Sequence, residues 1–313
     1  MKKIDQQDLR KLKAYELVSK IQNGKSLLIS LGAWKYFLRI LPLRFLATFI
    51  IFLVLFGVFK LPENQRHAAG RKRLVKVLNK ISPFKMTDSL PGYYTAPLVI
   101  GFNHSSLGDI LRIAAIVIER YPAKALHFPV NLIFYEALAP VAKKLEQLSI
   151  YLYPMITPST REKIKTDKNA ELVDVLKFKL ERHYLSSAEL CCHGYGILVI
   201  APSATRKPTI FDNSKQAVGE DIGSITPTMT ILLKRLSKNK KVVYVAISLN
   251  PQRFDSGLNL FRTYRVNVAK EFSTEEAEAL DTKSPRGFDF AFLRALAESL
   301  PYERWHPPTK EEY

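Results

Sequence analysis

The sequence predicts an α/β protein, with a mixed, mainly parallel sheet flanked by helices, preceded by a helical N-terminal segment. Short apolar runs rich in β-branched and aromatic residues recur from residue 97 onward, and segments of helical periodicity separate them. A long uncharged run lies near the N-terminus. Alternating buried strands and helices are typical of a parallel sheet. We therefore divide the chain into an N-terminal helical, membrane-associating segment, residues 1–82, and an α/β domain, residues 83–313.

The N-terminal segment contains fifteen uncharged residues, 45–59, between Arg44 and Lys60. Crossing a bilayer takes about 17 to 20 apolar residues, so this run is slightly short. The preceding stretch "AWKYFLRILPLR" mixes aromatic and basic residues in the manner of an interfacial anchor, and we expect attachment to a membrane. A short spanning helix, a segment lying in one leaflet and a buried core helix remain the alternatives.

A linker and a basic helix follow at residues 60–82. The positive charges form either a solvated helix face or a patch that attracts anionic head groups beside the apolar run. They are Arg71, Lys72, Arg73, Lys76 and Lys80.

Strands and helices then alternate. The predicted strands are 97–102, 125–133, 148–156, 196–203 and 241–249, and the predicted helices are 110–120, 136–147, 170–184, 226–236 and 288–300. Most of the strands have apolar residues on both faces, as in a buried parallel sheet. Ligands of such sheets gather at the carboxyl ends of strands. His104, Ser203 and Arg206 lie at or just after the carboxyl ends of predicted strands.

The composition is that of a folded protein with an unusual excess of positive charge. The 313 residues are 47% hydrophobic and 24% charged, with 47 Lys and Arg against 29 Asp and Glu, a net charge of +18. Such an excess favours an anionic partner: nucleic acid, an acidic lipid surface or a phosphorylated substrate. The adjacent Cys191 and Cys192 cannot build a disulfide framework and favour a reducing compartment. With His193 they lack the spacing of a zinc site, and we expect no bound metal.

His104 and Asp109 are the candidate catalytic pair. A neutral imidazole can take a proton from a hydroxyl near pH 7, and a carboxylate on its other nitrogen fixes its tautomer. Five residues of regular helix correspond to about 500°, so the pair can meet only if His104 precedes the helix and Asp109 lies in its first turn. Ser105, Ser106 and Gly108 suit such a turn. Capping and the helix dipole alone would also favour Asp109 there.

The stretch "NHSSLGD", residues 103–109, resembles the Asn-His-x4-Asp block of the glycerolipid acyltransferase family, whose members acylate glycerol-3-phosphate or lysophosphatidic acid. A second block in that family usually reads Phe-Pro-Glu-Gly-Thr-Arg, and "ILVIAPSATRKP" has Pro202, Thr205 and Arg206 in register. Ser203 and Ala204 stand where that pattern has Glu and Gly. In this respect "IAPSATR" is similar to the Ala-Pro-Ser-Gly-Gly-Arg variant of soluble plastid-type glycerol-3-phosphate acyltransferases. The resemblance covers residues 97–251.

The resemblance implies a role for each matching residue. His104 would act as general base on the acceptor hydroxyl, which attacks the thioester carbonyl of the acyl donor, and Asp109 would orient His104. Arg206, with Thr205 and Ser203, would hold the acceptor phosphate, because a planar guanidinium suits phosphate oxygens.

Two further residues are assigned to substrate binding. Asn103 belongs to the first block. Arg161, in "TPSTREKIK", resembles a further basic residue that the family carries there, although the local match is poor and a solvated loop charge is an equal alternative.

The activity that the resemblance implies is a membrane-associated O-acyltransferase at the cytoplasmic face, converting 1-acylglycerol-3-phosphate to phosphatidic acid. The donor would be acyl-CoA or acyl carrier protein, no cofactor is expected, and anionic membrane lipids would be partners. Alternatives are an acyltransferase acting on glycerol-3-phosphate or another lysolipid, and a catalytically silent lipid-binding relative. Nucleic-acid binding has only the charge in its favour, without a motif, and we expect no nucleic-acid partner.

Overall fold

The computed structural model describes residues 2–56, 58–87, 90, 92, 96–103, 107–194, 196–202, 209–211, 217–221, 228–236, 238, 241–251, 260–300 and 305–306. The chain forms two compact units, interleaved along the sequence. The first unit is Met1–Arg73 with Ala125–Leu190, and the second unit is Leu74–Lys124 with Cys191–Tyr313. Neither unit coincides with residues 1–82 or 83–313, and that sequence-based division stays a prediction.

A helix lies at each of the five positions predicted after residue 97, but several are longer than predicted, and the helices Pro158–Ile164 and Thr274–Lys283 were not predicted. The helices in the described residues are α1 (Gln6–Lys11), α2 (Ala14–Gln22), α3 (Leu27–Ser30), α4 (Trp34–Leu55), α5 (Glu63–Ile81), α6 (Leu107–Arg120), α7 (Leu132–Glu146), α8 (Pro158–Ile164), α9 (Ala170–His193), α10 (Thr228–Leu236), α11 (Thr274–Lys283) and α12 (Gly287–Glu298), with a 3₁₀ turn at Val58–Lys60.

The strands in the same part of the chain are β1 (Lys2–Lys3), β2 (Lys25–Ser26), β3 (Phe84–Met86), β4 (Leu98–Phe102), β5 (Leu126–Asn131), β6 (Ile150–Met155), β7 (Ile197–Ile200), β8 (Thr209–Phe211), β9 (Ala217–Asp221), β10 (Val243–Pro251), β11 (Tyr264–Phe272) and β12 (Trp305–His306). Strands β12, β9 and β8 form a small separate sheet in that order.

The second unit contains five paired strands in the order β3-β11-β10-β4-β7. Strand β4 is parallel to both β10 and β7, β3 is parallel to β11, and only β10 and β11 run antiparallel among these pairs. Every residue of β4 and β7 is buried. The predicted mixed, mainly parallel sheet is confirmed. Strand β11 was not predicted, because Arg265, Asn267 and Lys270 interrupt its apolar residues.

Helix α12 covers this sheet by packing on β10 and β11. The rings of Phe288 and Phe292 form edge-on and stacked contacts with Tyr244 and Phe272 at centroid distances of 5.0 to 5.6 Å. At Gly101 a Cβ atom would lie 2.5 Å from the Phe292 ring, so β4 requires glycine at this position for close helix packing.

The first unit pairs β5 with β6 in parallel register, and α7 packs against both strands. The apolar run 125–133 predicted a longer strand, but β5 ends at Asn131 and α7 begins at Leu132. The reason is local, since the Asn131 side chain accepts a hydrogen bond from the Ile133 amide at 2.9 Å and caps the helix.

Glu136 on α7 fastens the N-terminal segment to the first unit. Its carboxylate is fully buried and accepts hydrogen bonds from the Ser26 hydroxyl at 2.6 Å and the Leu28 amide at 2.8 Å. Burial raises the pKa of Glu136 from 4.5 to about 7, although the hydrogen bonds and the Arg44 guanidinium oppose this change.

Helix α4 has two different apolar faces. One face, including Phe37, Ile51 and Val54, is buried, and α4 packs against α7. The other face carries large apolar side chains that are 46% to 74% exposed. They are Trp34, Leu38, Phe45, Leu46, Phe49, Phe52, Leu53 and, at the C-cap, Phe56. By length and composition the helix could cross a membrane, and its 22 residues exceed the fifteen-residue uncharged run.

One of the five basic residues predicted to form a solvated helix face or a patch for anionic head groups is instead part of the interior. Arg71 is 1% exposed, and its guanidinium donates a hydrogen bond to the Leu148 carbonyl at 2.8 Å. Burial lowers the pKa of Arg71 to about 10. The prediction was wrong for Arg71, because the helical period turns this position inward, whereas Lys72, Arg73, Lys76 and Lys80 are exposed.

Candidate functional site

The two sequence blocks leave the sheet of the second unit from neighbouring strands. Strands β4 and β7 are parallel and in register from Leu98 opposite Ile197 to Gly101 opposite Ile200. Parallel neighbours lie about 4.8 Å apart, so their carboxyl ends share one edge of the sheet. The first block follows β4 and the second follows β7. The fold therefore starts both blocks from the same edge.

Asn103 fixes the chain at the start of the first block. Its side-chain oxygen accepts a hydrogen bond from the Leu249 amide at 2.6 Å, and its side-chain nitrogen donates to the Leu249 carbonyl at 3.0 Å. The backbone pairing of β4 with β10 ends at Phe102, so the Asn103 amide extends that pairing by one residue. Both ends of this amide are occupied by protein, while its assigned role in substrate binding stays a prediction.

The region that follows is only partly described. His104, Ser105 and Ser106 lie outside the described residues, in the three-residue interval between Asn103 and the start of α6 at Leu107. Asp109 lies in the first turn of α6, so the position that the spacing argument required for Asp109 is present.

Asp109 is fully buried and forms an ion pair that the sequence analysis did not anticipate. Its Oδ1 lies 3.3 Å from Nη1 of Arg112, three residues later on the same helix, and both side chains are 0% exposed. A buried carboxylate without a compensating charge is strongly unfavourable, and the guanidinium supplies that charge. The two residues share one face of α6 because they are spaced i, i+3.

Arg112 also contacts Pro83, Arg262 and Tyr264 of the second unit. Its Nε donates to the Pro83 carbonyl at 3.4 Å, and its Nη2 donates to the Arg262 carbonyl at 3.0 Å. The guanidinium carbon also lies 3.5 Å from the centre of the Tyr264 ring, a cation–π contact. Burial lowers the pKa of Arg112, while Tyr264 and Asp109 raise it.

The second block is described only at its start. Strand β7 ends at Ile200, and Ala201 and Pro202 follow it. Ser203, Thr205 and Arg206, the predicted phosphate-binding residues, lie outside the described residues. Their roles stay predictions.

Arg161 lies in the first unit, on α8. Its Nε and Nη2 donate to the two carboxylate oxygens of Asp174 at 2.5 and 2.8 Å, and this pair is partly exposed. Thr157 caps the helix that carries Arg161, accepting a hydrogen bond from the Thr160 amide. The substrate-binding role assigned to Arg161 also stays a prediction.

His127 and His183, which lie alone in the sequence, belong to an aromatic cluster of the first unit. The His127 ring stacks on Tyr151 at 4.8 Å, and its Nδ1 lies 2.9 Å from the Tyr153 hydroxyl. The ring of Tyr153 contacts His183 edge-on at 5.8 Å. Burial lowers the pKa of His127 to about 4, so this imidazole is neutral at physiological pH and serves packing.

Cys191 and Cys192 are buried free thiols, and burial raises the pKa of Cys191. This environment is that of interior residues rather than of a reactive thiolate. Within the described ranges, no group of three or more His, Cys, Asp or Glu side chains is placed to hold a metal ion.

The chain is similar to a solved acyltransferase structure. That structure is the crystal structure of the 1-acyl-sn-glycerophosphate (LPA) acyltransferase PlsC from Thermotoga maritima, with 14% sequence identity and a TM-score of 0.44. The similarity covers 83% of this chain and 94% of that chain. No protein-family model and no curated protein sequence matches the chain. At this identity and TM-score, the similarity assigns neither an activity nor a substrate to this chain.

The described part of the site can exclude water from the Asp109 carboxylate and fix its orientation within the first turn of α6. A carboxylate of this kind can hold an imidazole in one tautomer and stabilise its protonated form. Sequence reasoning identified Asp109 but missed Arg112. The sequence feature that could have identified Arg112 is a single charge in the otherwise apolar stretch "ILRIAAIVI", on the same helical face as Asp109.

Proposed function

We propose that this protein is a membrane-associated O-acyltransferase that transfers a fatty acyl group from an acyl thioester to the free hydroxyl of 1-acylglycerol-3-phosphate, giving phosphatidic acid. One observation carries the proposal. The strands that precede the two blocks, β4 and β7, are parallel neighbours, so both blocks begin at the same sheet edge. The buried Asp109 in the first turn of α6 supports the same assignment.

In the proposed reaction His104 takes the proton from the acceptor hydroxyl as the oxygen attacks the thioester carbonyl. Asp109 orients the imidazole and stabilises its protonated form. The thiolate of the donor leaves and takes up a proton, for which the imidazolium of His104 is the source. Arg206, with Thr205 and Ser203, binds the acceptor phosphate and so holds the hydroxyl near His104.

The test is an acyl-transfer assay with purified full-length protein. Acyl-CoA and acyl carrier protein donors are each incubated with 1-acylglycerol-3-phosphate, glycerol-3-phosphate or another lysolipid, and the products are read by mass spectrometry. We expect phosphatidic acid from wild type and from His193→Ala, a control at an exposed histidine. We expect a loss of at least about 100-fold in His104→Ala, because general-base catalysis contributes 100-fold or more.

Other outcomes of this assay would change the assigned substrate, the assigned base or the reaction class. Activity on glycerol-3-phosphate or another lysolipid alone would overturn the substrate while keeping the reaction class, and the Ser203-Ala204 departure makes glycerol-3-phosphate the specific alternative. Equal product in wild type and His104→Ala would overturn the assigned base. Lipid binding without product from any acceptor would support a silent lipid-binding relative.

The attachment to a membrane is proposed to be monotopic, with the exposed face of α4 inserted into one leaflet. A helix that already packs on α7 through one face has only the other face available for lipid. The aromatic stripe Phe45, Phe49, Phe52 and Phe56 repeats at helical spacing along that exposed face. The net charge of +18 favours an anionic surface. The cytoplasmic face fits the expected donors and the free thiols.

Vesicle flotation tests this attachment. With anionic phospholipid vesicles, the double variant Phe49→Glu/Phe52→Glu should lose at least about tenfold in partitioning, since burying each phenyl group contributes roughly 1.5–3 kcal/mol. The matched control is Phe178→Glu/Leu190→Glu on α9, where both side chains are also exposed. Equal loss in both double variants would refute insertion of α4, and resistance of bound protein to alkaline carbonate extraction would indicate a spanning helix.

A further inference from the structure

We propose that Arg112 is a positioning residue for acyl transfer: its guanidinium fixes the Asp109 carboxylate, and through it the orientation of the His104 imidazole. This inference rests on the proposed function, in which Asp109 steadies His104. It adds a residue that lies outside both sequence blocks.

The first step concerns charge. Asp109 and Arg112 are both 0% exposed, and their closest atoms are 3.3 Å apart. Burying a carboxylate without a compensating charge is strongly unfavourable, and the guanidinium of Arg112 supplies that charge. The carboxylate that the proposed reaction needs is therefore held in the interior beside its counter-ion.

The second step concerns geometry. Three nitrogen atoms of the guanidinium have three separate acceptors: Nε faces Pro83, Nη2 faces Arg262 and Nη1 faces Asp109. Pro83 directly precedes β3, Arg262 lies two residues before the start of β11, and these two strands are paired. The Tyr264 ring, at the start of β11, lies against the guanidinium. The paired strands thus fix the plane of the Arg112 guanidinium. That plane in turn fixes the orientation of the Asp109 carboxylate.

The third step separates positioning from simple attachment of α6 to the sheet. Attachment alone needs only the bonds to the two carbonyls and the contact with Tyr264. The bond from Nη1 to Asp109 joins two residues of α6, so this bond does not itself connect the helix to the sheet. If Arg112 only supported folding, replacing it would lower the stability of the protein without changing kcat of the folded enzyme.

The experiment measures kcat and KM for acyl transfer by folded, full-length Arg112→Met and Arg112→Lys. We expect Arg112→Met to lower kcat by about 10- to 100-fold with KM for both substrates within about twofold, because the carboxylate loses its fixed orientation. Arg112→Lys should recover part of kcat, since the ammonium restores charge but not the planar fork. It also provides a folded variant if Arg112→Met does not fold.

Two controls define the result. Arg71→Met removes another fully buried arginine, one that bonds a carbonyl in the first unit, and should lower stability with kcat unchanged. In an Asp109→Asn background, Arg112→Met should cause no further fall in kcat, because its effect passes through that carboxylate. An unchanged kcat in Arg112→Met, or a full additional fall in the Asp109→Asn background, would overturn the inference while wild-type activity upholds the proposed function. Wild type without acyl transfer to any acceptor would overturn both.

Discussion

Replacing Glu136 by glutamine should remove a pH-dependent part of the free energy of unfolding. Glu136 is fully buried, with the Ser26 hydroxyl and the Leu28 amide as donors, and its pKa is raised from 4.5 to about 7. The folded protein therefore binds this proton more tightly than the unfolded chain does. The resulting stabilisation is fully present below pH 4.5 and is lost as the pH rises through 7.

The size of this effect follows from the two pKa values. Each unit of pKa difference corresponds to about 1.4 kcal/mol. Between pH 5 and pH 8, the contribution of Glu136 to the free energy of unfolding should fall by about 2.5 kcal/mol. In Glu136→Gln this contribution is absent, because a glutamine side chain does not titrate. Wild type should therefore lose about 2.5 kcal/mol relative to the variant across this range.

Urea unfolding at pH 5, 6, 7 and 8 measures the difference between the two proteins. Other titrating groups, such as His127, are common to both proteins and cancel in the difference. The control is Glu146→Gln on the same helix, where the carboxylate is only partly buried and accepts a hydrogen bond from Gln22. A difference between wild type and Glu136→Gln that stays constant with pH would refute the assignment of a raised pKa to this buried carboxylate.

Further substitutions test the core packing, a helix cap and the contact of Asn103 with β10. Gly101→Ala should destabilise the protein by about 1–3 kcal/mol in urea unfolding, since its Cβ would lie 2.5 Å from the Phe292 ring, and Gly101→Ala/Phe292→Leu should recover part of this loss. Ser273→Ala removes the hydroxyl that caps α11 by accepting a hydrogen bond from the Glu276 amide, and should lower the free energy of unfolding by about 1 kcal/mol. A change below about 0.2 kcal/mol would contradict that role. Asn103→Ala leaves a buried amide and carbonyl of β10 without their partner and should cost about 2 kcal/mol, whereas a neutral effect would show that the strands pair without it.

Much of the α/β architecture could be predicted from local pattern. The apolar runs that became β4, β7 and β10 are buried on both faces, so their composition alone separates them from the amphipathic helices. Strand β11 escaped prediction because its polar residues hide the strand pattern, and its place in the sheet depends on pairing with β10. The end of β5 was also misjudged, because a single capping side chain, Asn131, outweighs the apolar residues that follow it.

For the candidate site, the sequence by itself identified the residue types and their spacing. In the block at residues 103–109, a histidine and a carboxylate five residues apart are visible from the sequence alone, and their catalytic role stays a prediction. The apolar N-terminal run was equally evident from composition, since hydropathy is a sum over neighbouring residues.

Only the tertiary structure decided which residues that are distant in the sequence contact one another. The partner of Asp109 is on its own helix, but Arg112 is held by carbonyls near residues 83 and 262, more than 170 positions apart. Likewise, the burial of Arg71 and the exposure of Lys72 depend on where α5 packs. Charge and periodicity are properties of short stretches of chain, whereas burial and the sharing of a buried charge arise only when distant segments exclude water together.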